Sequence, residues 1–159
     1  MSEELAAESD QRPVDFGALE QQIGFVAHRA LLVMRRNFVL RAGPIRPGAL
    51  NALILIGVNP GLTQSEIAQS LILDKGTTAH MLRDLEQRGW IERRARTNDR
   101  RWKGVYLSPT GAREMSRLKI EMEALAKRLD MLFTPQERTQ LIALLNRIVD
   151  AGLLKDDAA

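Results

Sequence analysis

Residues 62–111 read LTQSEIAQSLILDKGTTAHMLRDLEQRGWIERRARTNDRRWKGVYLSPTG. Thr63-Gln64-Ser65-Glu66 has the form of a capping box: a Thr hydroxyl to accept the Glu66 N–H and a Glu carboxylate to reach back to Thr63. It predicts a short helix with Ile67 and Leu71 on its buried side. Asp74 is a good N-cap for a second helix, whose positive dipole end its carboxylate favours. In that helix Leu82 and Leu85 face inward with Thr78 and Met81 alongside. Lys75, Gly76, Thr77, His80, Arg83 and Asp84 are left outward, and Gly89 closes the helix. Trp90-Ile91 and Val105-Tyr106-Leu107 read as short strands, with Thr97-Asn98-Asp99 as the turn between them. Ser108-Pro109 then offers an N-cap with proline at the first helical position. Two short helices joined by a tight turn and followed by a basic hairpin form a winged helix-turn-helix pattern.

The charge lies where that pattern would use it. From Arg88 to Lys103 there are seven basic residues (Arg88, Arg93, Arg94, Arg96, Arg100, Arg101, Lys103) against Glu92 and Asp99, a local +5 within a chain of net +3. A basic patch on a nearly neutral body is the footprint of a polyanion site; the alternative is a solvated charged face. Aromatic residues make up only 4% of the chain, which disfavours single-strand or RNA binding by base stacking. Trp90 fits better as an anchor between hairpin and helices than as a stacking platform.

Outward from this block, residues 1–14 are expected to be a disordered acidic tail, carrying Glu3, Glu4, Glu8 and Asp10 with little to bury. From about Phe16 the sequence predicts a long helix, with Phe16, Leu19, Ile23, Val26, Ala30 and Val33 on one stripe and Phe25, Leu32 and Phe38 on other faces. The breaker cluster Arg41-Ala42-Gly43-Pro44 ends it. A second helix starts near Pro47, passes Leu50, Leu53 and Ile54, and stops at Asn59-Pro60-Gly61. After Ser108 a helix carries Leu118, Met122, Leu125, Leu129 and Leu132 as a heptad-like seam. It breaks before the capping box Thr134-Pro135-Gln136-Glu137. The last helix is expected to bury Leu141, Leu144, Leu145, Ile148 and Val149 and to stop at Gly152, with residues 153–159 as a flexible tail. A single copy would leave apolar stripes uncovered, so a homodimer is expected.

The expected fold class is mainly α with a small β-hairpin wing. One regulator domain spans 15–152, with a nucleic-acid-binding lobe at about 47–108 and dimerisation helices at about 15–42 and 108–152. There is no Cys, so disulfides and Cys-ligated zinc are excluded. No apolar run approaches the ~20 residues of a membrane span, no signal peptide is evident, and a cytoplasmic location is expected. His28 and His80 fall on different predicted helices without metal-ligand spacing. No G-x-S-x-G, P-loop or dinucleotide fingerprint occurs, so neither catalysis nor a cofactor is expected.

On these residues the chain resembles the MarR family of transcriptional regulators from about residue 16 to 152. LTQSEIA is similar to the family's third helix, and DKGTTAHMLRDLEQRGWIERR to its recognition helix and first wing strand. Asp99-Arg100-Arg101 followed by Val105, Leu107 and Gly111 matches the wing signature D-x-R-x-x-x-V-x-L with its following glycine. The resemblance implies a homodimer that binds a near-palindromic operator in double-stranded DNA as a ligand-relieved repressor. Thr77 and His80 would meet base edges or nearby phosphate, with Lys75 suited to a phosphate and Arg83 a further candidate. Arg101 would enter the minor groove, where a planar, permanently charged guanidinium suits the negative potential. Asp99 would orient it, Arg100 and Lys103 would meet phosphates, and Arg93, Arg94 and Arg96 are weaker candidates, since strand arginines can simply point to solvent. The family also implies an effector pocket between dimerisation helices and DNA-binding lobe. Phe25, His28, Arg29, Leu32, Leu50, Leu53, Ile54 and Met115 could line it, although each also reads as ordinary helix core. An aromatic carboxylate would suit such a site, or an acyl-CoA if Arg35 and Arg36 hold its phosphates. The NPGLTQ stretch is similar to members controlling aromatic catabolism. The chain departs from the family at Ile72, where glycine is frequent in the turn, and a β-branched residue suits positive φ poorly; a different turn geometry is expected there. It departs also at His80 and Asp84, where basic residues are common, and at Trp90 in place of leucine. A second reading is a winged-helix module for protein–protein contact, which would bind without salt dependence.

Overall fold

A computed structural model describes residues 14–42, 45, 47–96 and 99–153; the surroundings of the side chains at 39–42, 47, 96, 99–102 and 153 are not among what it describes. The elements are a 3₁₀ turn (Gly17–Gln21), α1 (Ile23–Ala42), α2 (Pro47–Val58), α3 (Gln64–Ser70), α4 (Lys75–Gln87), β1 (Ile91–Arg96), β2 (Asp99–Leu107), α5 (Pro109–Asp130) and α6 (Pro135–Leu153). The chain forms two compact units, one ending at Met34 and the other beginning at Arg35.

In the first unit, the expected helix start near Phe16 is corrected. Gly17 adopts φ +52°, its N–H is donated to Asp15 Oδ1 at 2.8 Å, and Gln22 is extended. Residues Gly17–Gln21 form a separate 3₁₀ turn and the extended Gln22 sets it apart from the helix, so α1 begins at Ile23. Phe16 and Phe25 approach to 5.5 Å between ring centroids. The Arg29 guanidinium lies 4.4 Å from the Phe16 ring centre and 5.6 Å from that of Phe25.

The second unit is built around α2, an almost wholly apolar helix and therefore one that must be covered on several sides. Leu50, Leu53 and Ile56 are fully buried. They meet Ile67 of α3, Leu82 and Leu85 of α4, Ile91 and Val105 of the hairpin and Leu118 of α5 in one core. The single buried polar side chain among the described residues, Thr78, is satisfied because its hydroxyl donates to the Asp74 carbonyl at 2.9 Å.

The capping chemistry read from the sequence is formed. Thr63 Oγ1 accepts the Glu66 N–H at 3.2 Å and Glu66 Oε2 accepts the Thr63 N–H at 2.7 Å. The same reciprocal pair joins Thr134 and Glu137. Ser108 Oγ accepts the Gly111 N–H at 2.9 Å and donates to the Gly89 carbonyl at 2.5 Å. This ties the start of α5 to the end of α4.

The turn between α3 and α4 keeps the positive φ that Ile72 was expected to avoid. Ile72 sits at φ +52°, its N–H bonds to the Gln69 carbonyl at 3.2 Å, and the Leu73 N–H bonds to that of Ala68 at 2.9 Å. This is a Schellman closure with a β-branched residue in glycine's position. The two closing hydrogen bonds outweigh a local penalty of about 1–2 kcal/mol. Ile72 is 66% exposed and recovers little by burial. Ile72→Gly is therefore expected to stabilise the protein by about 1 kcal/mol, net of glycine's extra chain entropy. The check is urea unfolding with an unchanged m-value; a lower midpoint would show that the strain argument is wrong.

The hairpin is longer than the sequence suggested. β1 and β2 pair antiparallel from Ile91↔Leu107 to Arg96↔Asp99, with an irregularity between Ala95 and Arg96. Asp99 thus belongs to β2 rather than to the turn, and Thr97 and Asn98 lie outside the described residues. Leu62 adds a bridge to Val105, the Gly61 N–H donating to the Val105 carbonyl at 2.9 Å and the Val105 N–H to the Leu62 carbonyl at 2.8 Å. This pins β2 to the loop after α2. Leu132, expected on the seam of α5, falls beyond that helix and is 71% exposed. The burial expected for α6 is also corrected. Leu141, Leu144, Leu145, Ile148 and Val149 are 40–54% exposed in one copy, because nothing among the described residues covers that face fully.

Candidate nucleic-acid interface

α4 is the helix that presents the candidate reading residues. Its N-cap, Asp74, accepts the Thr77 N–H at 2.8 Å and the Thr77 hydroxyl at 2.5 Å. Those two bonds, the hydroxyl first, hold the Asp74 carboxyl below its ordinary range. A carboxylate whose folded pKa is lowered stabilises the fold above its unfolded pKa, and that stabilisation is lost as the pH falls through the folded pKa. Asp74→Asn is expected to flatten the dependence of stability on pH at the acid end of the carboxylate range and to leave it unchanged above neutrality. Thermal unfolding of the two proteins across that range is the measurement, and parallel curves would exclude the effect.

Lys75, Thr77, His80 and Arg83 are all exposed on α4, while Thr78, Leu82 and Leu85 on the opposite side are buried. The structure so brings together the four residues selected from the sequence. It also restricts one of them. The Thr77 hydroxyl proton is directed to Asp74, which leaves oxygen lone pairs and a methyl group for a ligand. Such a group accepts from an adenine or cytosine amino group or packs against a thymine methyl. Asp84 is not directed outward alone: it accepts from Arg88 Nε at 2.9 Å one turn along the helix. Arg88 in turn lies 5.3 Å from the Trp90 ring centre. Trp90 is partly buried against the core, as an anchor.

The basic residues of the hairpin divide by what they touch. Arg94 is paired with Glu92 and lies 4.9 Å from the Tyr106 ring centre, with its side chain 60% exposed. Lys103 is exposed. Arg96, Asp99, Arg100 and Arg101 are strand residues by backbone, and their side chains lie outside the described set. Arg93, read from the sequence as a weaker contact candidate whose side chain could simply point to solvent, instead reaches two helices. Its Nε donates to Glu86 at 3.3 Å and its Nη1 to Gln64 at 3.4 Å. Strand alternation held the signal, since Arg93 shares its parity with buried Ile91.

The residues named for an effector are distributed over both units. In the first, Phe25 is half-buried and His28, Arg29 and Leu32 are exposed, with Arg29 stacked as above. In the second, Leu50 and Leu53 are core residues. Met115 packs on the core, and its sulfur would lie 3.0 Å from a Cβ placed on Gly57. Ile54 lines a shallow apolar groove of about 340 Å³ with Asn51, Leu55, Val58, Leu71 and Met122. Among the described residues no cluster of His, Asp and Glu could hold a metal ion, and no helix is long and apolar enough to cross a membrane.

Comparison with known proteins finds relatives of the same fold. Residues 45–103 match the sequence model of the MarR family. The chain is 27% identical over 145 residues to a putative transcriptional regulatory protein for the hcr operon of Thauera aromatica, covering 89% of this chain and 87% of that one. Among solved structures, the transcriptional repressor CouR bound to a 23-mer DNA duplex superposes with a TM-score of 0.80 at 28% identity, over 87% of this chain and 99% of CouR. CouR bound to p-coumaroyl-CoA gives 0.78 at 27%, over 86% and 98%.

Proposed function

The chain belongs to the MarR family of winged-helix transcriptional regulators, non-enzymatic DNA-binding proteins, and from that footing we propose that it is a homodimeric repressor of a near-palindromic operator, released by a small organic effector. The observation that carries the operator reading is the exposed face of α4, with Lys75, Thr77, His80 and Arg83, on a fold that superposes along nearly its whole length on a DNA-bound repressor. The helix would read base edges in the major groove, and the wing would add charge to the flanking backbone and minor groove.

Dimerisation is supported by the apolar face of α6 and by Met131 and Leu132, 79% and 71% exposed just before it. A contiguous face of this kind marks an interface. Two copies related by a twofold axis would place two α4 helices on half-sites about one helical turn apart. Leu145→Glu puts a charge in the middle of that face. Sedimentation is expected to show the parent chain as a dimer and the variant as a monomer at micromolar concentration; a variant that stays dimeric would move the interface elsewhere. Selection from a random duplex library followed by footprinting tests the operator. Enrichment of a near-palindrome with both half-sites protected is expected, and enrichment of no duplex would count against the proposal.

Effector relief is supported by the ligand-bound form of CouR and by chemistry on this chain. Arg29 over two phenyl rings would suit an aromatic carboxylate. The groove beside Ile54 has apolar walls and neutral polar groups at Asn51 and Asn59. Binding would favour a dimer whose α4 helices no longer match successive grooves. Phenolic acids and their CoA thioesters, added to a preformed complex with the selected duplex, are expected to raise the protein's melting temperature and release the DNA together.

A further inference from the structure

The alternation of β1 places Ile91 and Arg93 on one face and Glu92 and Arg94 on the other. The outer pair bond to each other. The inner face carries Ile91, which is 3% exposed, and Arg93 lies opposite Val105, which is fully buried. Arg93 therefore leaves the strand on the side of the helices. Its side chain is only 27% exposed, and its donors go to Glu86 near the end of α4 and to Gln64 at the start of α3. β2 is held by the Leu62–Val105 bridge; β1 has this side-chain tie to the helix-turn-helix.

We propose that Arg93 is a positioning residue, which fixes the wing's angle to α4 by spanning Gln64 and Glu86 and does not itself meet a phosphate. The inference rests on the DNA-binding reading above. The end of β1 lies three residues beyond Arg93, about 10 Å along the strand. A tilt of about 10° at Arg93 then shifts the tip by about 2 Å, and a contact set loosened by even ~1 Å loses much of its binding. Glu86 is 44% exposed, and ion pairs so exposed contribute little to stability. The loss of Arg93 is therefore expected in the placement of the wing rather than in the melting temperature.

The test uses the full chain and the duplex it selects. Arg93→Met keeps the stem and removes the guanidinium. It should weaken binding about tenfold, leave the slope of log affinity against log salt unchanged, and shift the melting temperature by no more than about 2 °C. Amide exchange without DNA should quicken at 91–95 and 103–107 but not in α4. The exchanged pair Glu86→Arg with Arg93→Glu should recover affinity to within about threefold of the parent. A slope reduced by about 0.9 without recovery in the exchanged pair would make Arg93 a phosphate contact and overturn the proposal. Unchanged wing exchange in Arg93→Met would overturn it whatever the DNA result. If the parent chain selects no duplex, the DNA-binding reading fails and the placement role with it, and the exchange arm still shows whether the tie exists.

Discussion

Gly111→Ala is expected to cost about 3 kcal/mol or more, at or beyond the upper end for overpacking substitutions, and to leave little folded protein at physiological temperature. A Cβ at residue 111 would lie 1.8 Å from the Trp90 carbonyl oxygen and 2.6 Å from its carbon. Both are backbone atoms, and neither can swing aside as the end of a side chain would. Trp90 is also fixed from both directions. Its N–H closes α4 on the Leu85 carbonyl at 3.0 Å, and its carbonyl accepts the Ser108 N–H at 3.0 Å. The first turn of α5 thus sits directly on the chain leaving α4, with Ser108 bonded to Gly89 beside it. Relief would require moving α5 away from the base of the wing, which would open the core around Leu118 and Ile91. Urea unfolding measures the loss. A variant within ~1 kcal/mol of the parent, below the usual range of overpacking costs, would show that α5 can shift freely there.

Arg101→Ala is expected to reduce affinity for the selected duplex by about 1–3 kcal/mol, roughly 5- to 150-fold, the range for one specific arginine contact. The expectation comes from the wing motif that runs from Asp99 to Val105 and Leu107. Arg101 lies on β2, three positions from buried Gly104. The unfolding midpoint should stay unchanged, because the substitution is toward the tip rather than at the buried base of the hairpin. Asp99→Asn should have a smaller effect, since that residue would orient the arginine rather than touch DNA. Equal affinities for Arg101→Ala and the parent, measured by fluorescence anisotropy, would remove the minor-groove role from the wing.

The parts of the fold legible in the sequence were those whose cause is local. Thr63 with Glu66, Asp74, Ser108 with Pro109, and Thr134 with Glu137 announce helix starts because the capping bonds join residues three apart. The inward face of α4 follows from periodicity alone. Two departures were also local in origin. Gly17, at positive φ, opens a 3₁₀ turn where the apolar stripe alone would place the start of a longer helix, and the spacing Asp74-x-x-Thr77 already implied that the Thr77 hydroxyl would be drawn into the cap. Ile72 was misjudged for a different reason: the hydrogen bonds from residues 72 and 73 to Gln69 and Ala68 act together and override the preference of a single residue. The inward side of Arg93 was legible from strand alternation, but its partner was not, because Gln64 is 29 positions away and only folding brings it within reach. The face of α6 was legible as apolar, but a sequence does not distinguish burial within one chain from burial between two.

Within the site, α4 emerged as read, with Lys75, Thr77, His80 and Arg83 outward together. The wing's basic run did not emerge as uniform. Arg88 and Arg93 are engaged with acids of α4 and Arg94 with Glu92 of its own strand. The count of positive charges therefore overstates the number poised for phosphate. The salt dependence of DNA binding measures how many phosphates are neutralised. On the selected duplex, the slope of log affinity against log salt should be steep, about −0.9 for each phosphate contacted, with several contacts per dimer. Random duplex should bind at least about a thousandfold more weakly at physiological salt. Binding that does not change between low and physiological salt, or that does not distinguish the selected from the random duplex, would contradict the assignment of α4 and the wing as a DNA-reading surface.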